Sequence, residues 1–238
     1  MRERVDDQNP GIGFELPSLL AAAHELKAPL ILLRQLSLQM NDEMTPATPE
    51  LHRRLRLTTE RGLRLVDGLT RAARLEDSLF DTESLETKAI CQLVMLEMQP
   101  LAHELGQRVE LALPRRSLLA IGQYDLLTSL LIGLCDNALT HNSTGGSITI
   151  SGRERLGRVE LAVRDNGPVI SRDQFSKLTG RLGKPQVLSG RPRSSGLGLW
   201  VADNFARSMS GSLSAQRHRD GGMTFTVSLP QSSQLSLL

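Results

Sequence analysis

The sequence predicts two units. The first is an α-helical hairpin that pairs with a second copy as a dimeric four-helix bundle. The second is an α+β two-layer sandwich with helices on one face of a mixed sheet. Apolar residues recur at steps of three and four over the first third of the chain, and amphipathic helices then alternate with strand-like segments. The expected divisions are a tail over 1–14, the hairpin over 15–80, a linker over 81–85, the second unit over 86–231 and a tail over 232–238.

The hairpin is expected to consist of two helices joined by a short turn. Helical spacing of apolar residues runs from Glu15 to about Met44, and the stretch NDEMTPATPE over 41–50, with two prolines, marks the turn. Because two helices alone bury little apolar surface, we expect a homodimer. The second helix carries positions at alternating steps of four and three, the spacing of a coiled-coil seam: Leu51, Leu55, Thr58, Gly62, Leu65, Leu69 and Ala72.

The second unit is predicted from two kinds of periodicity. Helical patterns and alternating strand patterns follow one another, and adjacent strands joined by a short turn exclude an all-parallel sheet. Residues 180–195 are rich in Gly, Pro, Ser and basic residues, which predicts a loop. The predicted helices cover 88–105, 124–141 and 196–209, and the predicted strands cover 108–113, 147–152, 157–165 and 223–230.

Composition excludes several classes of protein. The 238 residues are 39% hydrophobic and 23% charged, with a net charge of +2, which fits a globular domain and gives no broad positive field for nucleic acid. Cys91 and Cys135 lie in helix-like patterns and are expected to be buried thiols in a reducing compartment. The N-terminal residues 1–10 lack the apolar core of a signal peptide, and no run of about 18 apolar residues exists. We therefore expect a cytoplasmic protein without a membrane span, with sensing left to a separate protein.

Three stretches of the second unit carry groups suited to a nucleotide. Asn137, on a predicted helix, offers a hard oxygen ligand of the kind that Mg²⁺ takes. Asp165 follows a strand and could accept a hydrogen bond from an adenine amine. Glycines in SSGLGLW, over 194–200, could turn backbone N–H groups toward phosphate. Each stretch also has an ordinary interpretation: a core asparagine, an Asx turn and a plain loop.

The stretch AHELKAPL, over 23–30, places the ionisable pair His24 and Glu25 ahead of Pro29 in a helical context. A proline inside a helix removes a backbone hydrogen bond and costs about 3 kcal/mol. Either the helix ends at this proline, with the pair on a solvated face, or the proline serves a function.

In their order and joint presence, AHELKAPL, DNALTHN, DNGPVI, SGLGL and GGMTF resemble the boxes of the histidine protein kinases of two-component signalling. The resemblance runs from about residue 15 to 230 and implies a phosphoacceptor hairpin followed by a Bergerat-type ATP-binding domain. It implies a kinase that uses ATP and Mg²⁺, with His24 as phosphoacceptor and Glu25 as general base. The phosphoryl group would then pass to an aspartate in the receiver domain of a response regulator. The implied ligands are Asn137 for Mg²⁺ and, for the nucleotide, Asn137, His141, Asp165, Gly167, Ser195, Gly196, Leu197 and Gly198.

The chain departs from the family's pattern at four informative places. Gly133 stands where gyrase and chaperone ATPases carry a glutamate that activates water, which argues against an ATPase of that kind. Val169 and Ser194 replace glycines of the nucleotide boxes and could weaken ATP binding. Ala28 replaces the Thr or Asn typical of kinases that also dephosphorylate their partner, so we predict weak or absent phosphatase activity.

Two alternatives stay open at this point. One is a degenerate, ATP-independent phosphotransfer or scaffold dimer of the same family. The other is a serine kinase of the anti-sigma-factor type, against which the long hairpin counts. The sequence also leaves open whether phosphoryl transfer runs within one subunit or across the dimer.

Overall fold

The structure, a computed structural model, describes residues 16–40, 48–74, 81–143, 145–180 and 197–233. None of the helices in these ranges combines the length and the apolar content needed to cross a membrane. The elements in chain order are α1 (Leu16–Met40), α2 (Pro49–Arg74), β1 (Glu83–Glu86), α3 (Thr87–Glu104), β2 (Arg108–Ala112), β3 (Leu119–Gly122), α4 (Tyr124–His141), β4 (Ser147–Arg155), β5 (Arg158–Arg164), α5 (Arg172–Thr179), α6 (Leu197–Ser208), β6 (Ser212–Arg217) and β7 (Met223–Pro230).

The two predicted N-terminal helices are present and pack against each other. Helix α1 continues through Pro29, so the helix does not end at the proline. Gly62 of α2 faces this point, since a Cβ on Gly62 would lie 3.7 Å from the Cβ of Pro29. Of the predicted seam, Leu51, Leu55, Thr58 and Gly62 are buried or half-buried. The side chains of Leu65, Leu69 and Ala72 and the turn over 41–47 lie outside the described residues.

The second unit contains the predicted mixed sheet. Its five strands are ordered β2-β4-β5-β7-β6; β2 and β4 are parallel, and the other pairs are antiparallel. Burial alternates along the strands, so the sheet has one apolar face and one polar face. On β5, Val159, Leu161 and Val163 are buried and Glu160 is not. Helices α3, α4 and α6 contact strands of this sheet, which confirms the α+β architecture.

Four elements were not predicted, because each lacks a strong periodic signal. Strand β1 lies where a linker was expected and pairs with β3, each strand being only four residues long. Strand β6, with the sequence SLSAQR, is largely polar, and so is helix α5. Helix α5 begins with a capping box, in which Ser171 and Gln174 exchange side-chain to backbone hydrogen bonds.

The two cysteine thiols are expected to resist modification in the folded protein. Cys91 and Cys135 are fully buried free thiols on α3 and α4, as predicted. Burial raises the pKa of the Cys91 thiol to about 12 and also raises the pKa of the Cys135 thiol. Because the thiolate is the reactive form, Ellman's reagent at pH 8 should titrate neither thiol in the native protein and both in guanidinium. Rapid reaction of either thiol in the native protein would contradict this burial.

Candidate nucleotide-binding site

Helix α4 carries the first candidate residues. Its N-terminus is capped by Gln123, whose side-chain oxygen accepts a hydrogen bond from the Leu126 N–H at 2.6 Å. Asn137 and His141 are four residues apart and therefore lie on one face of the last turns. Asn137 is half-buried, and its amide makes no hydrogen bond with the described residues. Its carbonyl oxygen is therefore available to a ligand.

Asp165 lies directly after β5 and is buried, with 4% of its surface exposed. Its backbone N–H donates to the Met223 carbonyl at 3.0 Å, and its Oδ1 accepts from the Gly167 N–H at 2.8 Å. The Asx turn considered as the ordinary interpretation is thus present, but it uses one carboxylate oxygen. Within the described part of the chain, Oδ2 accepts no hydrogen bond. Oδ2 is therefore free to accept a hydrogen bond from a ligand that supplies an N–H.

Two glycines hold the Asp165 loop by close backbone contact. A Cβ on Gly167 would lie 2.4 Å from the His141 carbonyl oxygen, so only glycine allows the loop to meet the end of α4. Gly222 has a φ of +73°, and a Cβ there would lie 2.0 Å from the Asp165 carbonyl oxygen. The loop is therefore clamped between the last turn of α4 and the turn that precedes β7. This contact brings His141, Asp165 and Gly167 together.

A polar network that was not predicted from the sequence also joins the loop to α4. Asn142 Oδ1 accepts from the Asn166 N–H at 3.0 Å, and the Asn166 side chain donates to the Ser147 carbonyl at 3.0 Å. The Asn142 amide donates to Gln107, which in turn donates to the Leu139 carbonyl at 3.1 Å. Asn142 and Asn166 could have been suspected, because they directly follow His141 and Asp165. Gln107 carried no signal in the sequence.

The structure describes only part of the remaining predicted site residues. Leu197 and Gly198 form the first turn of α6, while Ser195 and Gly196 lie outside the described residues. His24 and Glu25 lie within α1, and their side chains are not among those described.

Two of the departures from the family pattern lie at exposed positions. Gly133 is exposed on α4, and a Cβ there would meet no atom within 4 Å. Val169, in the loop that follows Asp165, is 58% exposed.

Magnesium would depend on few protein ligands. In the part of the chain that the structure describes, no group of three or more His, Cys, Asp or Glu side chains could hold a metal ion. Asn137 fits a Mg²⁺ ion that keeps its waters and takes its remaining ligands from phosphate oxygens, which is the usual way that Mg²⁺ binds beside a nucleotide.

Comparison with known proteins agrees with this geometry. Residues 122–233 match the model of the histidine kinase-, DNA gyrase B- and HSP90-like ATPase family. These residues belong to that ATPase family. Over 215 residues the chain is 30% identical to the signal transduction histidine-protein kinase BaeS of Escherichia coli K12, an overlap of 87% of this chain and 45% of BaeS. The predicted relationship to the two-component sensor histidine kinases is therefore confirmed.

Solved structures show the same fold. The histidine kinase AdeS of Acinetobacter baumannii, at 21% identity, superposes with a TM-score of 0.62 over 88% of this chain and 98% of that chain. The histidine kinase ThkA in complex with the response regulator TrrA, at 14% identity, gives a TM-score of 0.65 over 92% of this chain and 62% of that chain. The chain spans about half the length of the curated sensor kinases that it matches.

We predict that Gly167→Ala and Gly133→Ala have opposite effects. Because the added methyl of Gly167→Ala meets the His141 carbonyl, this variant should displace the loop and lower both ATP affinity and the free energy of unfolding. Gly133→Ala adds the same methyl to a helix in open space and should raise stability by about 1 kcal/mol. Urea unfolding measures both variants. Equal effects from the two substitutions would contradict the close contact between Gly167 and the His141 carbonyl.

Proposed function

We propose that the chain is an ATP-dependent histidine autokinase of a two-component phosphorelay. The observation that supports this most directly is Asp165, a buried carboxylate that the loop uses through only one oxygen. The remaining oxygen, Oδ2, would accept the N6 amine of adenine. A carboxylate would repel the O6 of guanine, so the site would prefer ATP over GTP.

The other parts of ATP would meet residues at the ends of α4 and α6. Asn137 would hold Mg²⁺, which neutralises phosphate charge when it is bound, and His141 would lie beside the nucleotide. Backbone N–H groups where α6 begins would bind the phosphates. This phosphate-binding segment comprises Ser195, Gly196, Leu197 and Gly198.

The reaction is a transfer of the γ-phosphoryl group from ATP to His24. A ring nitrogen of His24 forms a bond to the γ-phosphorus while the bond from that phosphorus to the bridging oxygen breaks, and ADP leaves. Glu25 takes the proton from the other ring nitrogen as general base. Hydrolysis of ATP is disfavoured, because Gly133 offers no carboxylate to activate water. Dephosphorylation of the response regulator is also disfavoured, because Ala28 offers no hydrogen-bonding group to position water.

The proposed partners are a second copy of the chain and a response regulator. Large apolar side chains stay exposed on both N-terminal helices, including Leu30 (62%), Leu38 (59%) and Leu63 (60%). Burial of such residues against a second hairpin would complete a four-helix bundle. The fold shared with ThkA, which was solved with a response regulator bound, supports transfer from His24 to a receiver-domain aspartate.

We predict that purified protein incubated with γ-labelled ATP and Mg²⁺ acquires an acid-labile label. His24→Gln should abolish the label, because the phosphoacceptor is removed. Asp165→Asn should slow labelling by roughly 10- to 100-fold, the loss expected for one hydrogen bond to a charged group.

Matched controls are available on the surface. His103→Gln and Asp173→Asn make the same chemical changes at exposed positions on α3 and α5 and should label like the wild type. An acid-stable label would indicate a serine or threonine kinase. If the wild type neither binds ATP nor becomes labelled, the ATP-independent relay or scaffold becomes the better account.

A further inference from the structure

We infer that each subunit phosphorylates its own His24, and that the ion pair between Arg64 and Asp136 is the contact that positions the ATP-binding domain for this transfer. The inference rests on the proposed function and concerns a choice that the sequence leaves open, between transfer within a subunit and transfer across the dimer.

The first observation is the contact between α1 and the ATP-binding domain of the same chain. Leu26, two residues after His24, packs against the apolar core of that domain. Helix α1 also contacts α6. The first turn of α6, with Leu197 and Gly198, belongs to the segment proposed to bind the phosphates, so the helix that carries His24 contacts the helix that begins in this segment.

The second observation is that α2 contacts both helices that frame the site. A Cβ on Gly68 would lie 3.7 Å from Val201 Cγ1, so this glycine allows close packing of α2 against α6. One helical turn earlier on the same face of α2, Arg64 Nη2 lies 2.8 Å from Asp136 Oδ1 of α4. Asp136 directly precedes Asn137, the proposed ligand of Mg²⁺. The ion pair therefore connects α2 to the turn of α4 that carries this ligand.

The Arg64–Asp136 ion pair is partly buried, so its loss should weaken the contact between α2 and α4. The side chains of Arg64 and Asp136 are 28% and 18% exposed, so water screens their attraction less than at an open surface. Arg64 Nε is buried and has no hydrogen-bond partner among the residues that the structure describes. Removal of either charge would leave the other charge partly buried and unpaired, which is more unfavourable than the loss of an exposed pair.

A third contact joins the start of α2 to the end of α3. Near the start of α2, Arg53 Nη1 donates to the Glu104 carbonyl at 2.9 Å, and Arg56 forms an ion pair with the Glu104 carboxylate at the end of α3. The contacts from Arg53 to Gly68 span 15 residues of α2, or about 22 Å at 1.5 Å per residue. Contacts at both ends of this length hold the ATP-binding domain against the hairpin of its own chain.

Heterodimers of two differently tagged chains distinguish transfer within a subunit from transfer across the dimer. In the first heterodimer one chain carries His24→Gln and the other Asp165→Asn, so only transfer across the dimer can label it. In the second, a wild-type chain is paired with a chain that carries both substitutions, so only transfer within a subunit can label it. We expect label on the wild-type chain of the second heterodimer, and none on the first beyond that of the Asp165→Asn homodimer.

The opposite pattern, a labelled first heterodimer and an unlabelled second one, would overturn the inference. Failure of the wild-type homodimer to become labelled would instead refute the proposed function, so the two failures are distinguishable.

The positioning role of Arg64 is tested separately, by the rate of autophosphorylation and the affinity for ATP. Arg64→Ala should lower the maximal rate of autophosphorylation by about tenfold, which corresponds to about 1.4 kcal/mol in the activation free energy, and leave the ATP dissociation constant unchanged. Arg64→Lys should restore part of the rate, and Arg54→Ala, at an exposed position on the same helix, should have no effect. An unchanged rate for Arg64→Ala, or a matching loss of ATP affinity, would rule out a positioning role.

Discussion

The arrangement of the site depends on the backbone contact between Gly167 and the carbonyl of His141. Without a side chain at Gly167, the Asp165 loop reaches the end of α4, and the hydrogen bonds of Asn142 and Asn166 can then close across the junction. On its other side the loop rests on Gly222, which no residue with a side chain could replace without displacing Asp165. The same contact therefore determines the position of Asp165, the proposed ligand of adenine, relative to the helix that carries Asn137, the proposed ligand of Mg²⁺.

The contact between the hairpin and the ATP-binding domain is of a different kind. Among the described residues it includes ion pairs from α2, a hydrogen bond from Arg53, one glycine contact and the apolar side chain of Leu26. Interfaces of this polarity within a chain usually permit relative motion. This suits the proposed cycle, because a response regulator needs access to His24 after the ATP-binding domain has delivered the phosphoryl group.

The elements with strong periodicity were predictable, and the contacts between distant residues were not. Helices α3 and α4 and strands β4, β5 and β7 follow clear helical or alternating patterns, and the sequence identified them. Strands β1 and β3 are too short to show a period, and α5 is too polar. Asp165 could be predicted as a site residue from its position after a strand. The sequence does not show which carboxylate oxygen stays available, because this depends on the hydrogen bond that Gly167 donates to Oδ1. Gln107 and the Arg64–Asp136 pair, 72 residues apart, arise only when the chain is folded.

The central claim is that the unused oxygen of Asp165 reads the adenine amine. Its most direct test is the affinity of the wild-type protein for ATP and for inosine triphosphate, which carries O6 in place of the amine, by isothermal titration calorimetry with Mg²⁺. The account predicts that ATP binds at least about tenfold more tightly, because inosine loses a hydrogen bond to a charged group and places O6 against the carboxylate. Equal affinities for the two nucleotides would contradict it.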